Sequence, residues 1–246
     1  MQIQQLYSYV RRAMDDYHMV KEGDRIVIGI SGGKDSLTLL YAMAGLRNFY
    51  PMKFELAAVT VDLGFHGFDV SPVQKICEQF HVPYYVVKTD IAKIVFEERH
   101  EKSPCALCAK MRKGALNAFV KQLNYNKVAY AHHMDDMIET MFLSLIYEGQ
   151  FYSFPPVTNL ERSGLTLIRP LMYVPEADVI GFQNRYELPC VKNPCPADGT
   201  TKRQYIKDLV RQINLENPGV KKQIFHAIVN GNIKGWPDNE EFKSIL

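Results

Sequence analysis

The chain has 246 residues, 47% of them hydrophobic and 23% charged, which at about 150 residues per domain allows one large domain and a small appendage. This composition excludes a disordered, collagen-like or disulfide-stapled chain. A formal net charge of +2 excludes a surface that is basic throughout, so any nucleic-acid face must be local.

The segment from Met1 to Asp16 is too polar for a secretory leader, and no window approaches the ~20 apolar residues of a membrane span. The chain is therefore expected in the cytoplasm, with no membrane partner. Residues 1–24 are read as an N-terminal helix. Arg25 to Ile30 is a β-branched run that stops at Ser31-Gly32-Gly33, and a Leu/Ala/Met-rich helix follows from Asp35 to about Leu46. Phe54 to Val61 reads as a buried strand, Val70 to His81 as a helix, Val82 to Lys88 as a third strand and Asn126 to Ala131 as a fourth. The helix between the last two, about Ala106 to Leu123, places Leu107, Met111, Ala115 and Ala118 on a packing stripe. Lys110, Lys113 and Lys121 fall on a basic face. Met134 to Tyr147 is a helix, Leu165 to Ile168 a fifth strand and Pro175 to Tyr186 a further helix. The alternation predicts an α/β fold with a five-stranded parallel sheet flanked by helices, Rossmann-like. The stretch from Gly149 to Ser163 is a long excursion from that sheet. From Pro189 a Cys/Pro/Gly loop leads into helices through Lys207 to Leu215 and on to about Val229, a small C-terminal helical appendage.

Ser31-Gly32-Gly33-Lys34-Asp35-Ser36 lies between a buried strand and a helix. Two glycines let the backbone turn tightly and aim N–H groups at a ligand, and the helix start favours an anion. The segment is neither a Walker A loop nor a G-x-G-x-x-G fingerprint. The plainer reading, a strand-to-helix turn capped by Ser and Asp, does not call for two hydroxyls, two glycines, a lysine and a carboxylate within six residues.

Five cysteines, at 77, 105, 108, 190 and 195, are an odd number and too sparse for a secreted module. Cys105-Ala106-Leu107-Cys108 alone is a redox dithiol, half a zinc site or chance; a third thiol from Cys190 or Cys195 allows an iron–sulfur cluster. Cys77 is expected in the core and Cys190 is read as a buried thiol. His132, His133, Asp135, Asp136 and Glu139 sit where a strand enters a helix, where open α/β sheets place ligands. Taken alone they read as a divalent-metal site or as helix capping. Lys110, Arg112, Lys113, Lys202, Arg203, Lys207 and Arg211 flank the cysteine segments and read either as solvated helix faces or as a track for RNA phosphates. The aromatics from Phe151 to Phe154 are read as stitching their loop to the core.

The SGGKDS loop resembles the PP-loop of the N-type ATP pyrophosphatases, which adenylate a carbonyl oxygen and let a nucleophile displace AMP. The runs CALCAKMRKGALNAF, YAHHMDDMIETMFLSLIYEG and LIRPLMYVPEADV resemble the TtcA-type tRNA 2-thiocytidine synthetases, over about Gly23 to Arg203. That resemblance implies a PP-loop/HUP-like fold with an ATP-binding domain over 25–188 and a cysteine-containing loop and helical tail over 189–246. It implies pyrophosphate held by Ser31, Gly32, Gly33, Lys34, Asp35 and Ser36, and adenine near Val59, Val61 and Asp62. His132 would lie beside the nucleotide, with Lys34, Asp35, Cys108 and Asp135 in catalytic roles. A [4Fe-4S] cluster would sit on Cys105, Cys108 and Cys195, the last chosen by counting back from Arg203. Arg169, before Pro170, would position phosphate or substrate. The implied cofactors are ATP, Mg²⁺ and the cluster; the implied partners are tRNA and a sulfur donor, with a homodimer to be considered. The implied reaction is ATP-dependent replacement of a pyrimidine C2 oxygen by sulfur. Two other readings fit the same loop: a TilS-like ligase with an amine nucleophile, and a non-catalytic ATP- and cluster-binding redox sensor.

Overall fold

The computed structural model describes residues 1–99, 104–191, 194–195 and 202–231. Helix α1 (Ile3–Asp16) buries Leu6, Val10, Ala13 and Met14, the spacing that puts four side chains on one stripe. Six strands, β1 (Asp24–Gly29), β2 (Phe54–Asp62), β3 (Tyr84–Lys88), β4 (Lys127–Ala129), β5 (Val157–Leu160) and β6 (Leu165–Ile168), form one sheet in the order β3-β2-β1-β4-β6-β5. The first five in that order are parallel, and they are the five predicted strands. The sixth was not anticipated: inside the Gly149 to Ser163 excursion, β5 turns back and pairs antiparallel with β6.

Period-two alternation sorts the sheet into two cores. Ile26, Ile28, Leu56 and Ala58 face one; Val27, Ala57, Val59 and Val128 face the other. The first is thick, covered by α1, α2 (Lys34–Leu46), α3 (Ser71–Gln79), α6 (Met134–Glu148) and α7 (Glu176–Tyr186). The second is covered by α5 (Pro104–Gln122) through Leu116 and Val120. A short α4 (Ile91–Lys93) runs into a π-helical turn, Ile94–Glu98, ahead of it. The expected stripe on α5 is rotated: Leu116 and Val120 are buried while Ala118 is exposed. Small alanines spaced like core residues misled the reading, because the two larger aliphatics decide which side packs. Cys77 is fully buried, as expected.

The tail helices α8 (Lys202–Glu216) and α9 (Val220–Asn230) are not merely attached, since Ile206, Val210, Phe225 and Ile228 belong to the thick core. Helix α8 starts five residues before the predicted Lys207. Much of the cysteine loop, 192–193 and 196–201, lies outside the described residues.

One buried ion pair ties β1 to β4. Lys127 Nζ meets Asp24 Oδ2 at 2.6 Å and donates to the Met19 carbonyl at 2.7 Å. Burial pushes the Asp24 carboxyl up, yet Lys127, the Lys21 N–H and Asn126 outweigh it and hold it below its ordinary value. Lys127→Ala strands a buried carboxylate and is expected to cost about 3–5 kcal/mol in urea unfolding, most of it recovered in Lys127→Met/Asp24→Asn. Because the folded-state pKa of Asp24 is depressed, its contribution is present above about pH 4 and fades as pH falls through the folded value. Acid unfolding of the double variant should lack that part.

Candidate active site

Strand β1 ends in the loop that starts α2. Ile30 N–H still pairs with the Val59 carbonyl at 2.9 Å, after which the chain leaves the sheet. Ser36 Oγ donates to the Gly33 carbonyl at 3.0 Å and accepts from Ser31 N–H at 3.2 Å, while Gly33 N–H reaches Ser31 Oγ at 3.3 Å. The loop is thus closed on itself before any ligand arrives. Gly33 is the N-cap residue of α2 and supplies no side-chain cap, so the first-turn N–H groups and the positive helix end stay available to an anion. Gly32 has φ +82°, and a Cβ there would sit 3.0 Å from Val191 Cβ. Its carbonyl accepts from Val191 N–H at 2.9 Å, which fastens the start of the cysteine loop to the phosphate loop.

Around this cradle runs a network of opposite charges. Lys34 Nζ lies 2.9 Å from Asp35 Oδ1 and 3.2 Å from Glu176 Oε1. His133, at the N-cap of α6, is 3.6 Å from Asp35 and forms a reciprocal capping box with Asp136. Arg203 from α8 donates to Glu139 Oε2 at 3.1 Å and to Thr140 Oγ1 at 3.2 Å. Burial and the nearby Asp136 raise the Glu139 carboxyl against the pull of Arg203.

A cavity of about 640 Å³ opens beside the loop, within the range of small-molecule sites. Val59, Val61, Asp62, Phe65 and Phe68 line one wall; Arg112, Lys113, Tyr130 and His132 line another. The second wall is crowded with cations. Burial, then Arg169 and Arg112, lower the Lys113 pKa, and burial lowers the Arg169 pKa to about 10. Arg169 holds its own loop, donating to the Pro155 carbonyl and to Thr158 Oγ1, and stacks over Phe154 at 4.7 Å. Burial, then Arg169, Arg203, Lys113 and His133, push the His132 pKa well below its ordinary value. Its ring packs on Phe154 with centroids 4.6 Å apart, and its buried Nδ1 has no hydrogen-bond partner among the described residues.

The expected residues Ser31, Gly33, Lys34, Asp35, Ser36, Val59, Val61, Asp62 and His132 all reach the cavity. Gly32 shapes the loop from behind. Asp135 is a correction: it lies outside the cavity lining, buried, bound to Glu176 N–H at 2.7 Å and to Lys221 Nζ at 2.6 Å. Its neighbour Asp136 faces the cavity instead. One residue on a helix is a rotation of about 100°, and sequence alone does not fix the phase. Glu176, Phe65 and Phe68 were not anticipated, and no local pattern marks them. Arg169 supports the loop around β5 rather than lining the cavity. Phe154 does stitch its loop inward, whereas Phe151 is exposed.

Cys105 is exposed, Cys108 and Cys195 half-buried. Burial raises the Cys108 thiol, Arg112 lowers it, and Cys195 and Cys105 raise it again, so the three thiols share one field. Among the described residues no three such groups stand close enough to grip one ion. The donor set nonetheless suits a soft cationic group: mutual repulsion of adjacent thiolates is what a bound metal relieves, and Arg112 favours ionisation. Cys190 is a correction, exposed rather than buried, and it faces Asp35 and Lys34 instead of the other thiols.

A family model described as a PP-loop domain matches residues 3–213. The chain belongs to the PP-loop family. It is 37% identical over 224 residues to the tRNA-cytidine(32) 2-sulfurtransferase of Geotalea uraniireducens (strain Rf4), covering 90% of this chain and 89% of that one. It is 37% identical over 221 residues to the enzyme of the same name from Alcanivorax borkumensis, covering 89% and 78%. These relatives bear out the likeness to the TtcA-type branch of the PP-loop family. Among solved structures, the U34-tRNA thiolase NcsA from Methanococcus maripaludis with its [4Fe-4S] cluster superposes with a TM-score of 0.75 at 24% identity, over 92% of this chain and 77% of that one. An NH3-dependent NAD synthetase from Campylobacter jejuni gives 0.53 at 12% identity, over 94% and 93%. Both share the PP-loop fold seen here.

Two expectations follow for neighbouring aspartates. Asp135→Asn should lower stability by about 2 kcal/mol in denaturant titrations, through loss of a charged hydrogen bond, and leave ATP turnover largely intact. Asp136→Asn, in the cavity lining and in the α6 capping box, should lower ATP turnover with a smaller loss of stability. Gly32→Ala, strained at its φ by about 1–2 kcal/mol and pressed on Val191, should weaken ATP binding measured by calorimetry.

Proposed function

We propose that the chain is an ATP-dependent tRNA sulfurtransferase that makes 2-thiocytidine, the reaction its relatives are named for. The observation that carries this reading is the convergence of two features. The phosphate cradle and the segments bearing Cys105, Cys108 and Cys195 border one cavity, through Arg112 and Lys113 on α5 and Pro194 next to Cys195. A ligase using an amine has no need of those thiols.

In this reading Ser31, Gly32, Gly33, Lys34 and Ser36 hold the β- and γ-phosphates of Mg²⁺-bound ATP, with Asp35 tethering Lys34. Val59 and Val61 give the adenine an apolar wall and Asp62 faces the nucleoside end. His132 and Asp136 flank the reacting centre. The C2 oxygen of the pyrimidine attacks the α-phosphorus, and the bond to pyrophosphate breaks. Lys34 and the helix N–H groups meet the charge that develops on the leaving group. Sulfur from an external donor then forms a bond to C2, and the C2–O bond breaks so that AMP leaves with the oxygen. Cys105, Cys108 and Cys195 would hold the [4Fe-4S] cluster; with three protein ligands it supplies one iron free to bind sulfur.

Arg203 and Lys207 are engaged inside the protein. The tRNA backbone therefore falls to the exposed Lys110, Arg112, Lys113, Lys202 and Arg211, with the target base unstacked into the cavity. A tRNA substrate supports the reading of a cytoplasmic reaction.

The test is anaerobic incubation of the cluster-loaded chain with unmodified tRNA, ATP, Mg²⁺ and sulfide, followed by nucleoside mass spectrometry. The expected result is 2-thiocytidine with one AMP and one pyrophosphate per base, lost in Cys108→Ser and Cys195→Ser. Formation of AMP and pyrophosphate with no thionucleoside, unchanged in those variants, would overturn it.

A further inference from the structure

Glu176 has no task in the scheme above, yet it gathers more charge than any cap requires. It opens α7 and is 8% exposed. Its N–H is fixed by Asp135 Oδ2 at 2.7 Å, so the residue is anchored at its backbone whatever its side chain does. Its Oε1 then lies 3.2 Å from Lys34 Nζ and 2.6 Å from Lys207 Nζ. An acidic residue in a first helical turn is satisfied by the helix end and solvent. This one is turned instead toward two lysines from two other helices, one of them in the phosphate loop. Burial pushes the Glu176 carboxyl up, but Lys207, Lys34 and His133 outweigh it and bring it to about 2. It is an anion at any working pH.

We propose that Glu176 is a positioning residue for adenylation: with Asp35 it holds the Lys34 ammonium in place at the phosphate loop, and Lys207 competes for the same carboxylate. The proposal rests on the reading of Lys34 as a phosphate ligand. A lysine is a point charge on a flexible four-carbon stem, and two carboxylates on different helices convert it into a fixed one. Fixing matters most where charge builds up in the transition state, so the loss belongs in kcat rather than KM. Lys34 is faced by Asp35 on its own helix, Glu176 on α7 and Cys190 of the tail loop, with His133 behind Asp35 and Lys207 behind Glu176. Burial lowers the Lys34 pKa, but Asp35 and Glu176 together raise it above the ordinary lysine value.

The experiment is tRNA-dependent AMP formation by the full, cluster-loaded chain, measured across pH. Glu176→Gln keeps the backbone anchor and the side-chain shape. It is expected to lower kcat about tenfold while KM for ATP stays within about threefold, and to move the alkaline limb of the profile to lower pH. Glu176→Asp should recover part of the kcat. Lys207→Met, which leaves the carboxylate to Lys34 alone, should move the alkaline limb the opposite way. Wild-type kcat and an unmoved limb in Glu176→Gln overturn the proposal, as does loss of activity in both variants with both limbs unmoved, the signature of a merely structural pair. If Lys34→Met turns over ATP at the wild-type rate, the phosphate-loop reading falls as well. If Lys34→Met is inactive while Glu176→Gln is unaffected, the proposal alone falls.

Discussion

Everything in this site depends on the neighbouring positions of β1 and β4 at the centre of the sheet. The chain leaves β1 toward β2 on one side, whereas β4 leads toward β6 on the other, and strand order reverses between them. At such a switch point the loops leaving the carboxyl ends diverge and leave a crevice. Both loops end in helix starts, Lys34 for α2 and Met134 for α6, so two positive helix ends border one space. The 3.6 Å approach of His133 to Asp35 is where the two loops meet. The Lys127–Asp24 pair, buried at the opposite ends of the same two strands, locks the adjacency that makes the crevice.

Charges around the crevice are sorted rather than balanced. On the α6–α7 side every buried carboxylate has a cation: Glu139 has Arg203, Glu176 has Lys34 and Lys207, Asp135 has Lys221. On the α5 side, Lys113 has its pKa lowered by burial and by Arg169 and Arg112, and among the described residues no carboxylate forms an ion pair with any of these three cations. Such a crowd is costly for the folded protein by itself and becomes favourable when an anion arrives. A total of +2 conceals this, because a sum over the surface does not record where opposite charges have already cancelled.

The sequence reads well where structure is local. Five parallel strands, the helix after each and the SGGKDS turn are set by neighbours within a few residues, through β-branched runs, glycine punctuation and periodicity. It reads poorly where structure depends on rotation or on distant partners. Asp135 and Asp136 are adjacent in sequence and opposite in role, because Lys221, far along the chain, takes one of them. Val157–Leu160, with Thr158 and Asn159 at its centre, is too polar to announce a strand and pairs because β6 offers it an edge. Glu176 looks like any acidic residue after a proline at a helix start; its meaning comes from Lys34 and Lys207, which only the folded chain brings within reach.

The tail illustrates the same point at larger scale. Its helices read as an appendage, yet they are held by apolar contacts of Ile206, Val210, Phe225 and Ile228 and by three cations on acids at the starts of α6 and α7. Before the helices begin, Val191 is already bonded to Gly32 in the phosphate loop. The segment that carries Cys195 is therefore fastened at one end to the loop and at the other to helix α8, whose Lys207 shares Glu176 with Lys34. The phosphate loop and the tail thus share partners at two points, the hydrogen bond from Val191 to Gly32 and the Glu176 carboxylate between Lys34 and Lys207.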